Sequence, residues 1–262
     1  MSDRNIEVLQ APSLAMKASV RHGFFTRQGG VSEGVFASLN CDIKPFDDPA
    51  LTAENRRRAS AHLGASPDNL VCLLQVHGAE VVEVTRAWPV ELSPEADALV
   101  TRARGIVLGI LTADCAPVLL LDAAAGVIAA AHAGWRSVVA GVLENVVTEM
   151  EKLGASRSAI HAAVGPCIWQ DSYEVDDNFQ KPFLDADARA SRFFKSAARE
   201  GHKMFDLAGI AAARLEALGL ASVSPSMADT YAEPKRFYSY RRACENSEGQ
   251  TGRLLSAIML SE

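Results

Sequence analysis

The sequence predicts an α/β (α+β) fold: one compact domain over residues 1–262, with mixed β-sheets packed together and helices outside. Three observations predict it. Short apolar runs recur along the chain and are typical of strands covered on both faces. Segments with helical spacing lie between these runs, so strands and helices interleave. There is no internal repeat, low-complexity tract or Pro/Gly/Ser linker, which favours one continuous domain.

Eight segments are predicted to contain strands. Residues 22–40 begin with a short apolar stretch and continue rich in Gly and Ser, which predicts a short strand followed by a loop. The other seven predicted strands are residues 70–76, 81–84, 106–111, 118–121, 127–131, 159–164 and 253–260. Among these, the runs at 106–111, 118–121 and 127–131 show little polar alternation, as expected for strands covered on both faces.

Three segments are predicted as helices, and each is followed by a glycine that suits a helix C-terminus. Residues 47–63 begin with an Asp-Pro pair, and residues 137–153 carry apolar side chains at helical spacing. Residues 205–218 form another amphipathic segment, with Asp206 as its N-cap. The three consecutive arginines 56–58 are expected on a solvated face of the first helix.

Composition restricts the class of protein. Lys and Arg total 26 against 32 Asp and Glu, so the net charge of −6 argues against nucleic acid as the main partner. Five cysteines are too few for a disulfide framework and predict a reducing, cytoplasmic compartment. No secretory signal is expected, and no run offers the ~20 uninterrupted apolar residues of a membrane helix.

Three side chains that can bind a metal stand at the ends of predicted strands, in apolar surroundings. They are His77 in LLQVHG, Cys115 in LTADCAPVLLLD and His132 in AAAHAGWR. Two imidazoles and a thiolate suit zinc or copper, and three protein ligands leave one position open, as in catalytic zinc sites. The spacing matches no short metal motif. A buried Cys that acts as a small hydrophobe, with two hydrogen-bonding His, therefore remains an alternative.

Other polar residues could complete such a site. Asp114 directly precedes Cys115 and could orient a ligand or accept a proton, or simply form a turn. Gly29 and Gly30 could add backbone amides to a phosphate pocket, and the helix that begins near residue 136 attracts anions at its N-terminus. The basic candidates for this anion pocket are Arg27, Arg136, Arg241 and Arg242.

An ordered set of segments spans nearly the whole chain. It comprises HGFFTRQGGVSEGVFASLN, the helix from the acidic-Pro pair to ENRRR, LLQVHGAEVV, ADALVT, GILTADCAPVLLLD, AAAHAGWRSVVAGVLENVV, AVGPCIWQDSYEV, and RFYSYRR followed by TGRLLSAIML. This set resembles a family described as multicopper polyphenol oxidases or laccase-domain proteins, as peptidoglycan editing factors, and as purine nucleoside phosphorylases.

The resemblance implies a metal-dependent purine nucleoside phosphorylase with adenosine deaminase activity. Candidate substrates are adenosine, inosine, guanosine and methylthioadenosine, with phosphate as the second small-molecule partner and neither nucleic acid nor a membrane. It implies a metal, zinc first and copper as the alternative, bound by His77, Cys115 and His132. These three and Asp114 are the catalytic candidates. Arg27 matches the family arginine associated with phosphate, and Arg241 and Arg242 match the SYRR motif.

Two departures from the family pattern concern copper. Asp229-Thr230 stands where a Cys-Thr pair is common, and Gln170-Asp171 stands where a second cysteine is common. With only six His in the chain, several copper centres are hard to build. Three alternatives stay open: copper-dependent phenol oxidation, amide hydrolysis of a serine-containing cell-wall precursor, and a structural metal or interaction domain. In the second, Cys115 could be the nucleophile with His132 as base. The oligomeric state is also open.

Overall fold

The computed structural model describes residues 6–15, 19–44 and 46–261. The N-terminal stretch, for which no secretory signal is expected, lies partly outside these residues. The described helices are α1 Pro49–His62, α2 Trp135–Ala140, α3 Val142–Lys152, α4 Lys181–Ala186, α5 Leu207–Ala217 and α6 Tyr240–Glu245. None of them combines the length and the apolar composition needed to cross a membrane.

The described strands form three sheets. They are β1 Val8–Leu9, β2 Val20–Phe25, β3 Leu70–Val71, β4 Val81–Glu83, β5 Ala98–Thr101, β6 Val107–Thr112, β7 Ala116–Asp122, β8 Val127–Ala133, β9 Ile160–Val164, β10 Glu174–Asp176, β11 Phe194–Ser196, β12 His202–Phe205, β13 Ser222–Pro225 and β14 Leu254–Leu260. The orders are β1-β2-β14-β6-β3, β13-β9-β7-β8-β5-β4 and β10-β12-β11.

The two larger sheets are mixed and pack face to face. Side chains of β5, β7 and β8 meet those of β6 and β14 in one core between the sheets. The other face of the six-stranded sheet packs against α3 and α5, and α1 covers the outer face of the five-stranded sheet. The predicted arrangement, mixed sheets with helices outside, is confirmed.

Burial on both faces explains why the apolar runs predicted the central strands. Every residue of β6, β7, β8 and β14 is buried. These strands lie near the middle of their sheets, so neither face needs polar side chains. Antiparallel pairing of β7 with β8 sets Ala116 opposite Ala133, which brings the residues just outside these two positions to the same end of the sheet.

The long strand predicted over residues 70–76 is wrong beyond its first two residues. The chain leaves the sheet after β3 because side chains replace strand partners. The Gln75 amide donates to Leu111 O at 2.8 Å and accepts from Leu111 N at 2.9 Å. The Trp88 indole donates to Cys72 O at 3.1 Å. Residues 72–78 therefore form a loop that carries His77.

The single helix predicted over residues 137–153 is two helices, α2 and α3. Gly141 separates them with a φ of +90°, a left-handed conformation that suits glycine and interrupts the helical hydrogen bonds. The apolar side chains continue at helical spacing on both sides of the break. The pattern of hydrophobicity therefore gave no sign of it.

The solvated arginine face predicted at residues 56–58 is wrong for Arg56. Arg57 and Arg58 are paired with Glu54, as expected for an exposed helix face. Arg56 is only 8% exposed, and its guanidinium donates to Cys72 Sγ at 3.4 Å and towards Leu70 O at 3.5 Å. It turns towards the five-stranded sheet because its position falls on the covered side of α1.

Candidate metal centre and its cavity

Three separate elements bring the predicted metal ligands together. His77 lies in the loop after β3, Cys115 in the turn between β6 and β7, and His132 near the end of β8. One ligand atom from each lies within 4.8 Å of the others. The distance from Cys115 Sγ to His77 Nε2 is 3.8 Å, and the centroids of the two imidazole rings are 4.8 Å apart.

The donor set fits a single zinc ion. Two ligand atoms on one tetrahedral zinc lie about 3.5 Å apart. The 3.8 Å between Cys115 Sγ and His77 Nε2 is close to this value, and the full set, within 4.8 Å, would draw together around the ion. Gly134 makes room for the cluster, because a Cβ at this position would lie 2.8 Å from His77 Cδ2 and 3.1 Å from Cys115 Sγ. His132 is buried, Cys115 half-buried and His77 exposed, so the centre is accessible on the side of His77.

Charges in the centre favour the ligand form of the cysteine. Burial alone would raise the pKa of Cys115, but the charge of His132 and hydrogen bonds from both histidines lower it to about 6. Burial would likewise lower the pKa of His132, but the Cys115 thiolate and the bond to Asp97 raise it to about 9. The thiolate, which is the metal-binding and nucleophilic form, is thus favoured at neutral pH.

A buried carboxylate, Asp97, contacts both histidine segments. Its side chain is fully buried and accepts a hydrogen bond from His132 Nδ1 at 2.7 Å. It also accepts from the backbone amides of Val76, His77 and Gly78, at 3.3, 3.0 and 2.6 Å. Burial would raise the pKa of Asp97, but these hydrogen bonds, with that of His132 foremost, lower it.

A second buried carboxylate, Asp114, binds a different part of the chain. It accepts hydrogen bonds from Thr230 Oγ1 at 2.7 Å, Ser239 Oγ at 2.9 Å and Arg241 N at 2.7 Å. The backbone of Asp114 has a φ of +84°, in the left-handed region. Burial raises the pKa of Asp114, although all three hydrogen bonds act in the opposite direction.

A cavity of about 470 Å³ opens beside the triad. This volume is within the usual range for a small-molecule site. Its walls carry two arginines that lie over aromatic rings. The Arg136 guanidinium is 4.3 Å from the Trp135 ring centroid, and that of Arg241 is 5.3 Å from Tyr173. Arg241 also donates to Glu174 O at 2.7 Å.

The predicted arginines divide into two pairs. Arg136 and Arg241 line the cavity with the triad and Asp114. Arg27 and Arg242 do not line it. Arg27 donates to the carbonyls of Ala37, Pro234 and Val35, at 2.6, 3.1 and 3.4 Å. The Arg242 guanidinium donates to three carbonyls as well, those of Thr230, Tyr231 and Phe237.

Sequence reasoning missed several residues of this site. Asp97 directly precedes β5 and is thus a polar residue at a strand end, which is the pattern that singled out the metal ligands. Trp135 and Tyr173 lie within recognised motifs but carried no signal of their own. Lys44 and Arg253 also line the cavity, from segments far apart in the chain. Nothing in the local sequence connects those two residues.

Named relatives cover almost the entire chain. A protein from Deinococcus radiodurans named purine nucleoside phosphorylase is 43% identical over 99% of this chain and 95% of its own length. The Escherichia coli protein named purine nucleoside phosphorylase YfiH is 37% identical, over 90% of this chain and 91% of its own.

Solved structures share the fold. YlmD from Geobacillus stearothermophilus has a TM-score of 0.89 and 30% identity, covering 100% of this chain and 98% of that one. The Neisseria meningitidis protein NMB0706 has a TM-score of 0.87 and 32% identity, covering 99% of this chain and 100% of that one. A family model described as multi-copper polyphenol oxidoreductase laccase matches residues 21–261. The chain therefore belongs to this laccase-like family.

Proposed function

We propose that the chain is a zinc-dependent purine nucleoside phosphorylase with adenosine deaminase activity, acting in the cytoplasm on adenosine, inosine, guanosine or methylthioadenosine. One observation carries the proposal. A single cavity of about 470 Å³ joins a two-histidine, one-thiolate centre to two arginines and two aromatic rings. The names of the relatives support the same activity class. All five cysteines are free thiols, which agrees with a reducing compartment.

His77, Cys115 and His132 are the residues that would hold the metal. A bound zinc ion supplies Lewis acidity, which lowers the pKa of water and polarises a substrate atom. The protein contributes a ligand set already gathered in one place, with the thiolate form of Cys115 favoured. Copper suits the same ligand types and is the alternative cofactor.

The aromatic walls suit a purine. Tyr173 and Trp135 line the cavity, and together with the guanidinium groups that lie over them they form a wall against which a flat heterocycle can pack. In this proposal the nucleoside lies between these rings and the metal centre. Phosphorolysis then breaks the bond from ribose C1′ to the purine nitrogen and forms a bond from C1′ to a phosphate oxygen. Deamination of adenosine replaces the 6-amino group with oxygen from water and releases ammonia.

Arg136 and Arg241, two of the three arginines that line the cavity, are the proposed anion site. The Arg136 guanidinium makes no hydrogen bond to another described residue, and its stacking on Trp135 leaves its donors available for phosphate. Arg241 uses one donor on Glu174 O and keeps the others. Arg27 and Arg242 remain predictions from the motif. Their guanidinium groups are engaged with carbonyls away from the cavity, so we assign them a supporting role.

Asp114 is proposed as a positioning residue rather than a proton acceptor. Its carboxylate already accepts three hydrogen bonds, one of them from the backbone of Arg241. It therefore fixes the start of α6, which carries the proposed anion-binding arginine. In this assignment Asp114 acts through the position of Arg241 and takes no proton from the substrate.

Amide hydrolysis is the second candidate, because one observation favours it. Cys115 and His132 bring a sulfur and a ring nitrogen within 4.8 Å of each other, and the lowered pKa of Cys115 with the raised pKa of His132 favours a thiolate beside an imidazolium, the pair that activates a cysteine nucleophile. Phenol oxidation by several copper ions has less support. Within the described residues, His77, Cys115 and His132 form the only cluster of three or more candidate metal ligands.

The experiment uses protein purified without added metal, with elemental analysis of its content. Adenosine is incubated with and without phosphate, and inosine, adenine and ribose 1-phosphate are separated by chromatography. The proposal expects inosine in both reactions and a ribose phosphate only with phosphate, with His77→Ala inactive. The absence of all these products above the His77→Ala level would reject it. Cys115→Ser should lose both metal and turnover, whereas a purely nucleophilic Cys115 would lose turnover alone.

A further inference from the structure

We propose that Asp97 is a positioning residue that prepares the metal centre by holding both histidine ligands with one carboxylate. The inference depends on the proposal that the triad binds a metal, but on no particular substrate. Asp97 is not a ligand candidate itself, since its oxygens are fully engaged with the segments that carry the ligands.

The hydrogen bonds are divided evenly between the two carboxylate oxygens. Oδ1 accepts from His132 Nδ1 at 2.7 Å and from the His77 amide at 3.0 Å. Oδ2 accepts from the Gly78 amide at 2.6 Å and from the Val76 amide at 3.3 Å. An ionised carboxylate accepts about four hydrogen bonds and donates none. All of this capacity is therefore directed at the two histidine segments.

For His132, the carboxylate decides which ring nitrogen faces the centre. Because a carboxylate only accepts, Nδ1 must carry the proton in their shared hydrogen bond. Nε2 is then the nitrogen that faces the centre and offers its lone pair once a metal displaces any proton on it. A carboxylate behind a histidine ligand also holds the ring plane and increases the basicity of the ligand. His132 N additionally donates to Asp97 O at 2.7 Å, so backbone and side chain hold the same pair of residues.

For His77, the carboxylate holds an unusual backbone. The φ of His77 is +61°, in the left-handed region that non-glycine residues seldom occupy. Three successive amides, from Val76 to Gly78, converge on Asp97 and stabilise this turn. Without the carboxylate, these amides would lose their hydrogen-bond acceptor, and the backbone that positions the exposed His77 ring would be less restrained.

Asp97→Asn is a sharp test, because an amide of the same shape cannot satisfy both oxygen positions. If its NH₂ replaces Oδ2, it faces the donors of Val76 and Gly78, and the His77 turn loosens. If its NH₂ replaces Oδ1, it faces His132 Nδ1, and the ring must move its proton to Nε2, the nitrogen needed by the metal. Either orientation weakens metal binding.

Asp122→Asn is the matched control. Asp122 is also buried, and it accepts hydrogen bonds from the amides of Ala124, Ala125 and Ser156, all at 2.9 Å. It lies at the opposite end of β7 from Cys115 and contacts no metal-ligand candidate. It therefore reports the cost of removing a buried carboxylate without altering the centre.

The measurement is the dissociation constant for Zn²⁺ and Co²⁺, by competition with a chromophoric chelator, on the full chain and both variants. Asp97→Asn should bind metal about 10- to 100-fold more weakly than wild type, and Asp122→Asn within about threefold of it. The visible spectrum of bound Co²⁺ should also change in Asp97→Asn, because its ligand geometry is released. Equal affinity and spectra in a folded Asp97→Asn would overturn the inference alone. A wild-type chain that binds neither metal would overturn it together with the metal proposal.

A second measurement needs no variant. In metal-free wild-type protein, the amides of His77 and Gly78 should exchange with deuterium more slowly than those of open loops, because Asp97 holds them before metal arrives. Exchange at the rate of an unprotected loop would overturn the inference, even if Asp97→Asn failed to fold.

Discussion

Asp97 and Asp114 are two buried carboxylates of the same site that organise different regions. Asp97 accepts hydrogen bonds from one ring nitrogen and three backbone amides, all in the segments of His77 and His132. Asp114 accepts hydrogen bonds from two hydroxyls and one backbone amide, all in the C-terminal region around α6. The first supports the metal ligands, and the second supports the wall that carries Arg241. The comparison indicates that ligand geometry and substrate contact are anchored separately.

The pKa values of the two carboxyl groups shift in opposite directions for a physical reason. Burial opposes ionisation in both. At Asp97, the hydrogen bond and charge of His132 add to the backbone amides, and the pKa falls. At Asp114, the bonds from Arg241 N, Thr230 and Ser239 do not compensate burial, and the pKa rises. Hydroxyl partners can turn from donor to acceptor, so the surroundings of Asp114 also tolerate the protonated form.

The largest effect that separates the two regions is expected from Asp114→Ala. The variant removes the anchor of residues 230–241, so Arg241 shifts while the triad keeps its ligands. A misplacement of about 1 Å can cost roughly 100-fold in rate, so kcat/KM for the nucleoside reaction should fall by about that factor. The zinc affinity should stay within about threefold of wild type, unlike that of Asp97→Asn. Kinetics and chelator competition on the same preparation check both.

A loss of metal from folded Asp114→Ala would remove the distinction between the two carboxylates. Asp114→Asn provides the graded control, because its amide oxygen can still accept from Arg241 N and Ser239 Oγ, and its NH₂ can donate to the Thr230 hydroxyl. It should therefore lose less activity than Asp114→Ala.

The sequence predicted the parts of the molecule whose signal is local. Uninterrupted apolar runs predicted β6, β7, β8, β9 and β14, because burial on both faces leaves a continuous hydrophobic segment. The segments 8–9, 174–176, 194–196, 202–205 and 222–225 gave no such signal, and 98–101 offers only a short one, so their strands were not predicted. Most of them are short or lie in half-exposed surroundings. The break at Gly141 was missed because hydrophobic spacing is the same on both sides of it.

In the site, too, only residues with a local sequence signal were predicted. His77, Cys115 and His132 were identified by residue type at strand ends, and the structure places them together. The arginines could not be sorted from the sequence, since only the fold decides whether a guanidinium meets carbonyls, as in Arg27, or a cavity, as in Arg241. The roles of Asp97 and Asp114 depend on their hydrogen-bond partners. These partners lie between about 20 and 127 positions away along the chain, so the local sequence does not reveal them.

The next-largest effect concerns phosphate binding by the arginine that Asp114 positions. Arg241→Ala should raise the KM for phosphate by about 10-fold, corresponding to about 1.4 kcal/mol of binding, because it removes a cationic donor from the cavity. Arg27→Ala should leave this KM within about twofold, yet lower the free energy of unfolding by about 1–2 kcal/mol, since three carbonyls lose their donor. Phosphate kinetics and urea denaturation measure the two quantities. If Arg27→Ala instead raised the KM for phosphate and Arg241→Ala did not, Arg27 would be the phosphate-binding residue.

The smallest effect is expected at His22, a buried titratable group outside both carboxylate regions. It is 2% exposed, and its Nε2 accepts a hydrogen bond from Ala11 N at 2.9 Å, which requires an unprotonated nitrogen. Burial lowers the pKa of His22 below its ordinary value of 6.5. The group should therefore affect the stability of the fold and its pH dependence, with no effect on metal affinity.

The sign of this pH dependence follows from the lowered pKa. As the pH falls through 6.5, the unfolded chain takes up a proton at residue 22, whereas the folded chain does not until a lower pH. The stability contributed by neutral His22 is therefore present at pH 7.5 and is lost on acidification. Tm should fall less between pH 7.5 and pH 5.5 in His22→Gln than in wild type, because glutamine offers an acceptor to Ala11 N but does not titrate. An equal fall in both proteins would mean that other groups account for the acid sensitivity of this sheet.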